Sequence, residues 1–193
     1  MNEKNISVLG IDPGLDRTGW AILQRDSRSV LSLCACGLIH TEKDQPLPER
    51  LNFVYQEFCK ILDTYRPQQV AMEQNFFLKR AQTMANTVMT RGVILLACAQ
   101  AGKQISLYEP KRVKLLICGT GTADKKQVQR MVQLTLRLQE PPQPDDTADA
   151  IAIGICHLKT APLSQKLDVK TAFFEKLKAA RQAQIQKNKL KLR

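Results

Sequence analysis

Five acidic residues stand where one predicted element gives way to the next. Asp12 closes the apolar run 6–11 and directly precedes Pro13-Gly14. Glu73 closes a second short apolar run, 69–72, and Asp145, Asp146 and Asp149 cluster after a proline-rich stretch. Each has an ordinary explanation. Asp-Pro-Gly is plain turn chemistry, and acids in a first helical turn are favoured by the helix dipole. Asp145 also suits the position just before the helix, which would pair it with Asp149 at i,i+4. Glu73 at the tip of a buried central strand is harder to dismiss, because a charge there must find a partner. The same holds for Asp149, set between Ala148 and Ala150 and leading into residues 151–155, all apolar or glycine.

Taken together, carboxylates at two strand ends and one helix start can converge on a point. Oxygen-rich clusters select hard cations such as Mg²⁺ or Mn²⁺. Two such ions roughly 3.5–4 Å apart clamp the attacking and leaving oxygens of a phosphodiester. The six cysteines form no paired CxxC sets, and neither histidine sits at ligand spacing to a cysteine pair, which argues against zinc. No Ser/His/Asp set is apparent.

The elements that must position these acids follow from periodicity. Residues 6–11 and 19–23 read as antiparallel strands joined by the turn 12–17, and residues 30–39 as a third strand. Residues 44–48 form a polar connector. Leu51, Val54, Phe58, Leu62 and Tyr65 recur at helical spacing over 50–65, before Arg66-Pro67. Residues 69–72 and 104–108 read as further strands, and 81–101, 110–117, 125–138 and 147–158 as helices. Three strands followed by alternation predict a mixed sheet with helices on both faces.

The net charge is +11 over 193 residues. Residues 159–193 hold ten Lys and Arg against Asp168 and Glu175, a net of +8 that leaves +3 for residues 1–158. The expectation is a core domain, 1–158, followed by a basic extension, 159–193, that is helical or disordered. A polyanionic partner is favoured. No stretch approaches the ~20 apolar residues of a membrane span, and the first six residues lack a signal-peptide pattern, so a cytoplasmic protein is expected.

In order along the chain, these residues resemble the RuvC family of Holliday-junction resolvases. The matching stretches are Leu9-Gly10-Ile11-Asp12-Pro13-Gly14 with Thr18-Gly19, then Glu73-Gln74-Asn75-Phe76. Lys114 follows, then residues 119–127 with Ala123-Asp124-Lys125, and finally Asp146-Thr147-Ala148-Asp149-Ala150. The match runs from about Ser7 to His157. It implies a ribonuclease-H-like fold, a mixed five-stranded sheet flanked by helices. It also implies a homodimer, joined largely through the helix at 81–101, that nicks two opposing strands of a four-way DNA junction in recombination and repair.

The resemblance makes Asp12, Glu73, Asp146 and Asp149 the catalytic, metal-binding acids, with Asp146 favoured over Asp145. Two Mg²⁺ ions per site, replaceable by Mn²⁺, would support hydrolysis leaving a 5′-phosphate. Lys114 and Lys125 fall at positions near the scissile phosphate; without the resemblance they read as solvated helix lysines. Phe76 matches an aromatic that engages bases near the crossover, while Phe77 suits the core. Lys79, Arg80 and Arg91 either meet backbone phosphates or belong to a solvated helix face. His157 lies two turns after Asp149, either beneath the site or as a packed core histidine. The expected partner is a RuvA–RuvB branch-migration complex, and the extension from 159 is expected to be a DNA-affinity arm. Three alternatives remain: an actin- or sugar-kinase-like ATPase, a ribonuclease-H-like nuclease acting on RNA or RNA–DNA hybrids, and a non-catalytic DNA-binding protein.

Overall fold

The computed structural model describes residues 5–74 and 81–160, with side chains from residue 85 onward in the second stretch. The elements are β1 (Ile6–Asp12), β2 (Arg17–Arg25), β3 (Leu31–His40), α1 (Leu47–Tyr65), β4 (Gln69–Glu73), α2 (Ala81–Gln100), β5 (Ile105–Tyr108), α3 (Pro110–Cys118), α4 (Lys125–Leu136) and α5 (Asp145–Thr160). The five strands form one mixed sheet in the order β3-β2-β1-β4-β5. The first three strands pair antiparallel through tight connections, and β4 and β5 join parallel to β1. Among the described residues no helix is long and apolar enough to cross a membrane.

Period-two alternation sorts the central strands between two cores. On one face Val8, Ala21, Leu23 and Ala71 pack with α3, α4 and α5. On the other Leu9, Ile11, Ile22, Val70 and Met72 pack with α1 and α2. The same alternation turns Asp12 and Glu73, in phase with Val8 and Ala71, toward the α5 face. Because Gly10 pairs with Ala71 and Ile11 with Met72, Asp12 and Glu73 stand side by side one step further on.

Helix α5 lies unusually close to this face. A Cβ on Gly10 would fall 2.2 Å from the Ala150 carbonyl oxygen, and one on Gly19 would fall 2.0 Å from that of Asp146. Only bare backbone fits at these two crossings.

Several boundaries differ from the sequence expectation, and three of them, at helix ends, have a clear local cause. Helix α1 starts at Leu47 because Pro46 and Pro48 occupy its cap and first turn, where a missing N–H costs nothing. Helix α4 stops at Leu136, since Arg137 turns left-handed at φ 54°. Helix α5 begins at Asp145 rather than Thr147, the Pro144 carbonyl accepting from the N–H groups of both Thr147 and Ala148. Asp145 is therefore the first helical residue and not the cap.

Gly19→Ala should lower stability by about 1–3 kcal/mol, the usual cost of overpacking, and should displace the Asp146 backbone. Thermal unfolding checks this; an unchanged Tm would show that the helix yields at no cost.

Candidate active site

The site is built from the ends of three elements. Asp12 and Glu73 close the adjacent strands β1 and β4, and their carboxyl groups are hydrogen-bonded to each other. Asp146 and Asp149 lie one turn apart at the start of α5, which the Gly10 and Gly19 crossings hold against β1 and β2. All four predicted acids thus gather at one end of the sheet.

Their electrostatics divide them from Asp145. Burial pushes the Asp12 carboxyl well above its ordinary range, and the charge and hydrogen bond of Glu73, then the charges of Asp149 and Asp146, push it further. Asp149 is pushed up to about 6, first by burial and then by Glu73, with Lys125 opposing. Burial also raises Asp146, against the pull of Arg17. Asp145 moves the other way, lowered chiefly by its hydrogen bond from Lys125. That bond raises the Lys125 ammonium in turn. Asp12, Asp146 and Asp149 are thus held up by burial, while Asp145 is satisfied by Lys125 and Arg17 at the surface.

Among the described residues no three Asp, Glu, His or Cys side chains are drawn together tightly enough to enclose an ion. The donor set nevertheless fits a divalent cation. Every donor is a carboxylate oxygen, the choice of hard ions. Asp146 Oδ2 is buried and lacks a hydrogen bond, although Arg17 Nε lies 2.7 Å away, because that N–H is not aimed at it. Protons held by crowded carboxyls are what a cation displaces on binding.

Arg17 and its supports escaped sequence inspection. The guanidinium reaches both Asp145, at 3.0 Å, and Asp146. The turn leading to it is braced. Arg50, nearly buried, donates to Asp16 at 2.5 Å and to Thr41 Oγ1 at 2.9 Å, while Thr41 Oγ1 donates to the Leu15 carbonyl at 2.6 Å. The one available signal was a cation placed just past the Asp-Pro-Gly turn on the returning strand.

The family model for crossover junction endodeoxyribonuclease RuvC matches residues 8–157. The chain belongs to the RuvC family. Crossover junction endodeoxyribonuclease RuvC of Roseiflexus sp. (strain RS-1) is 42% identical over 83% of this chain and 95% of its own. That of Chloroflexus aggregans is 45% identical over 84% and 98%. Among solved structures, Thermus thermophilus RuvC in complex with Holliday junction substrate matches at a TM-score of 0.74, with 31% identity, covering 79% of this chain and 92% of that one. The yeast mitochondrial Holliday junction resolvase Ydc2 shares the fold at a TM-score of 0.62 and 14% identity, over 79% of this chain and 77% of that one. The ribonuclease-H-like mixed sheet is thereby the fold of this family member.

Within this RuvC fold the remaining expected residues take distinct places. Lys125 opens α4 beside the acids, behind a capping box made by Asp124 and Gln127. Lys114 Nζ donates to the Ala123 carbonyl at 2.6 Å, fastening the loop before α4. Arg91 is half-buried, its guanidinium desolvated and within the field of Glu73, which excludes a solvated helix face. His157 does not lie beneath the site. It is buried at the opposite end of the sheet, where Tyr108 Oη donates to Nδ1 and Nε2–H donates to Gln69 Oε1, both at 2.9 Å. Burial, with Arg25 nearby, lowers it to about 4, so the ring is neutral. Phe76, Phe77, Lys79, Arg80 and the extension from residue 161 lie outside the described residues.

A carboxyl whose folded pKa exceeds its unfolded one binds protons more tightly when folded. The metal-free protein therefore loses stability as pH rises from about 4 through 6, the window set by Asp149. Asp149→Asn should accordingly stabilise the metal-free protein at pH 7.5, by on the order of 2 kcal/mol, and should have little effect below pH 4. Melting curves in EDTA test this; destabilisation at pH 7.5 would show that Asp149 is not under the strain described.

Proposed function

We propose that this chain resolves Holliday junctions in DNA recombination and repair, two copies each cutting one of two opposing strands by metal-dependent hydrolysis to leave 5′-phosphate ends. The observation that carries this is the convergence of Asp12, Glu73, Asp146 and Asp149 on one sheet end within a chain of this family. We assign these four as the catalytic, metal-binding residues. Asp146 is chosen over Asp145 because its carboxylate is the one left with a buried oxygen lacking a hydrogen bond. These four carboxylates would hold two Mg²⁺ ions, or Mn²⁺ in their place, which would supply Lewis-acid charge for hydrolysis of a phosphodiester.

The protein's own part is positioning. Asp12 and Glu73 sit on strand ends that cannot shift without breaking the sheet. Asp146 and Asp149 sit on a helix whose approach is fixed by backbone contact. Lys125 presents a cation at the mouth, suited to charge developing on a phosphate. Lys114 acts through the loop, holding α4 and hence Lys125 in place. Arg91, Lys79 and Arg80 are the proposed backbone contacts and Phe76 the proposed stacking residue. The extension 159–193, with a net charge of +8, is the proposed affinity arm. A RuvA–RuvB branch-migration complex is the partner that family membership implies.

The dimer finds support on α2. Val88, Gly92, Leu95 and Leu96 recur at helical spacing, and the three apolar side chains are 55%, 44% and 54% exposed. Such a stripe on a soluble helix marks an interaction surface.

Incubation with a synthetic four-way junction, a linear duplex and an RNA–DNA hybrid, in Mg²⁺ and in EDTA, tests the activity. Paired nicks should appear on the junction alone and only with the metal. Asp12→Asn should slow them at least about a hundredfold while junction binding persists. Cutting of the hybrid instead would move the substrate to RNA, and binding without cutting in either Mg²⁺ or Mn²⁺ would remove the enzyme assignment. For the dimer, Leu96→Glu should convert the sedimentation profile from two copies to one; a persistent dimer would place the interface elsewhere.

A further inference from the structure

Arg17 begins β2 at the mouth of the site, and its one guanidinium spans two successive carboxylates of α5. The two contacts are unequal. Nη2 donates a hydrogen bond to Asp145 Oδ1 at 3.0 Å. Nε lies 2.7 Å from Asp146 Oδ2 yet makes no hydrogen bond with it, and that oxygen is buried. Asp145 has a second cation in Lys125, so it does not depend on Arg17. Asp146 forms no other ion pair among the described residues. The arginine side chain is 44% exposed, so it can also meet a group arriving from solvent. Because Thr41 bonds the Leu15 and Asp16 carbonyls and Arg50 holds the Asp16 carboxylate, a change of partner by Arg17 is a side-chain movement.

We propose that Arg17 is an internal counterion of the acidic site, a positioning residue whose Nε competes with a divalent cation for Asp146 Oδ2 and is drawn off by a DNA phosphate. The idea rests on the reading of the four acids as a metal site. A guanidinium matches a phosphate as well as it matches a carboxylate, through paired N–H donors. With Lys125 remaining on Asp145, its departure strands neither acid: Asp145 keeps one cation and Asp146 gains the ion. DNA and metal then bind cooperatively, each favouring the other by the same factor. Before DNA arrives, the guanidinium shields part of the charge on the inner acids.

The test is direct Mn²⁺ binding to the full chain without DNA, read from the electron paramagnetic resonance signal of free Mn²⁺. Removing a competitor should tighten binding: Arg17→Gln is expected to gain about three- to tenfold, the size of a part-exposed ion pair, with Arg17→Lys in between. Junction binding in EDTA as a function of salt gives the second reading. The slope of log K against log salt should be shallower by about 0.9 in Arg17→Gln, one phosphate contact fewer. Weaker Mn²⁺ binding in Arg17→Gln would overturn the proposal, since Arg17 would then be helping to hold Asp146 for the ion. An unchanged salt slope would overturn the exchange onto phosphate. If wild type and Arg17→Gln both fail to bind Mn²⁺ at millimolar concentration, the metal reading falls and this inference with it. If wild type binds Mn²⁺ and Asp12→Asn does not, that reading stands whatever Arg17 does.

Discussion

The chemistry of this fold hangs on how closely α5 can approach the sheet. Helices usually rest on a sheet with a layer of side chains between them. Here the carbonyl oxygens of Asp146 and Ala150 come so near β2 and β1 that a methyl group at Gly19 or Gly10 would overlap them. The small faces of Ala21 and Ala71 on the sheet, and Gly154 on the helix, continue the same thin layer. This thinness brings acids on a helix within electrostatic reach of acids on strand ends, with Asp12 feeling Asp146 and Asp149 as well as Glu73. A thicker layer would leave two separate acidic pairs, each solvated and ordinary.

Close approach has a cost that the native state carries. Three of the four inner acids are held above their normal range by burial and by one another. A chain selected for stability alone would not gather them, because each would be more stable in water. Strain of this kind persists where the surrounding structure over-determines it. The surroundings here are rigid: two neighbouring strands inside a five-stranded sheet, and a helix fully buried from Ala150 to Leu158. The stability of the remote core, including the neutral His157 bonded between Tyr108 and Gln69, offsets the repulsion at the working end.

Much of this was legible in the sequence, and what was not has physical reasons. Every strand and helix was recognisable, because the short apolar runs of β1 and β4 and the helical spacing in α1 are local signals. The four acids were visible as residues at element ends. That Asp12 and Glu73 face the same side follows from period two once the register of β1 and β4 is known, and register is not local. His157 shows the limit of helical spacing. Two turns from Asp149 it shares a face with that residue, but eight residues of helix carry it about 12 Å away, to the far end of the sheet. Arg17 was invisible for a related reason: its partner Asp145 is 128 residues distant, and nothing in a short window marks a surface arginine as a member of an acidic site. Lys114 was noticed as a cation, but its attachment to the Ala123 carbonyl depends on how the loop from Gly119 folds back.

Asp145 shows how adjacent, chemically identical residues acquire different work. Both it and Asp146 sit in the first turn of α5, where the helix dipole favours an acid equally. The difference is direction. One side chain turns outward, between Arg17 and Lys125, and its charge is compensated at the surface. The other is less exposed, 19% against 27%, and keeps a buried oxygen without a hydrogen bond. Helical rotation of about 100° per residue is enough to separate the two environments. The outward acid has a consequence for the inward ones: by holding two cations at the rim, it sets the positive charge that an approaching phosphate first meets. The site therefore presents cations outside and acids inside. That order suits a polyanion that must be attracted to a centre whose own charge is negative.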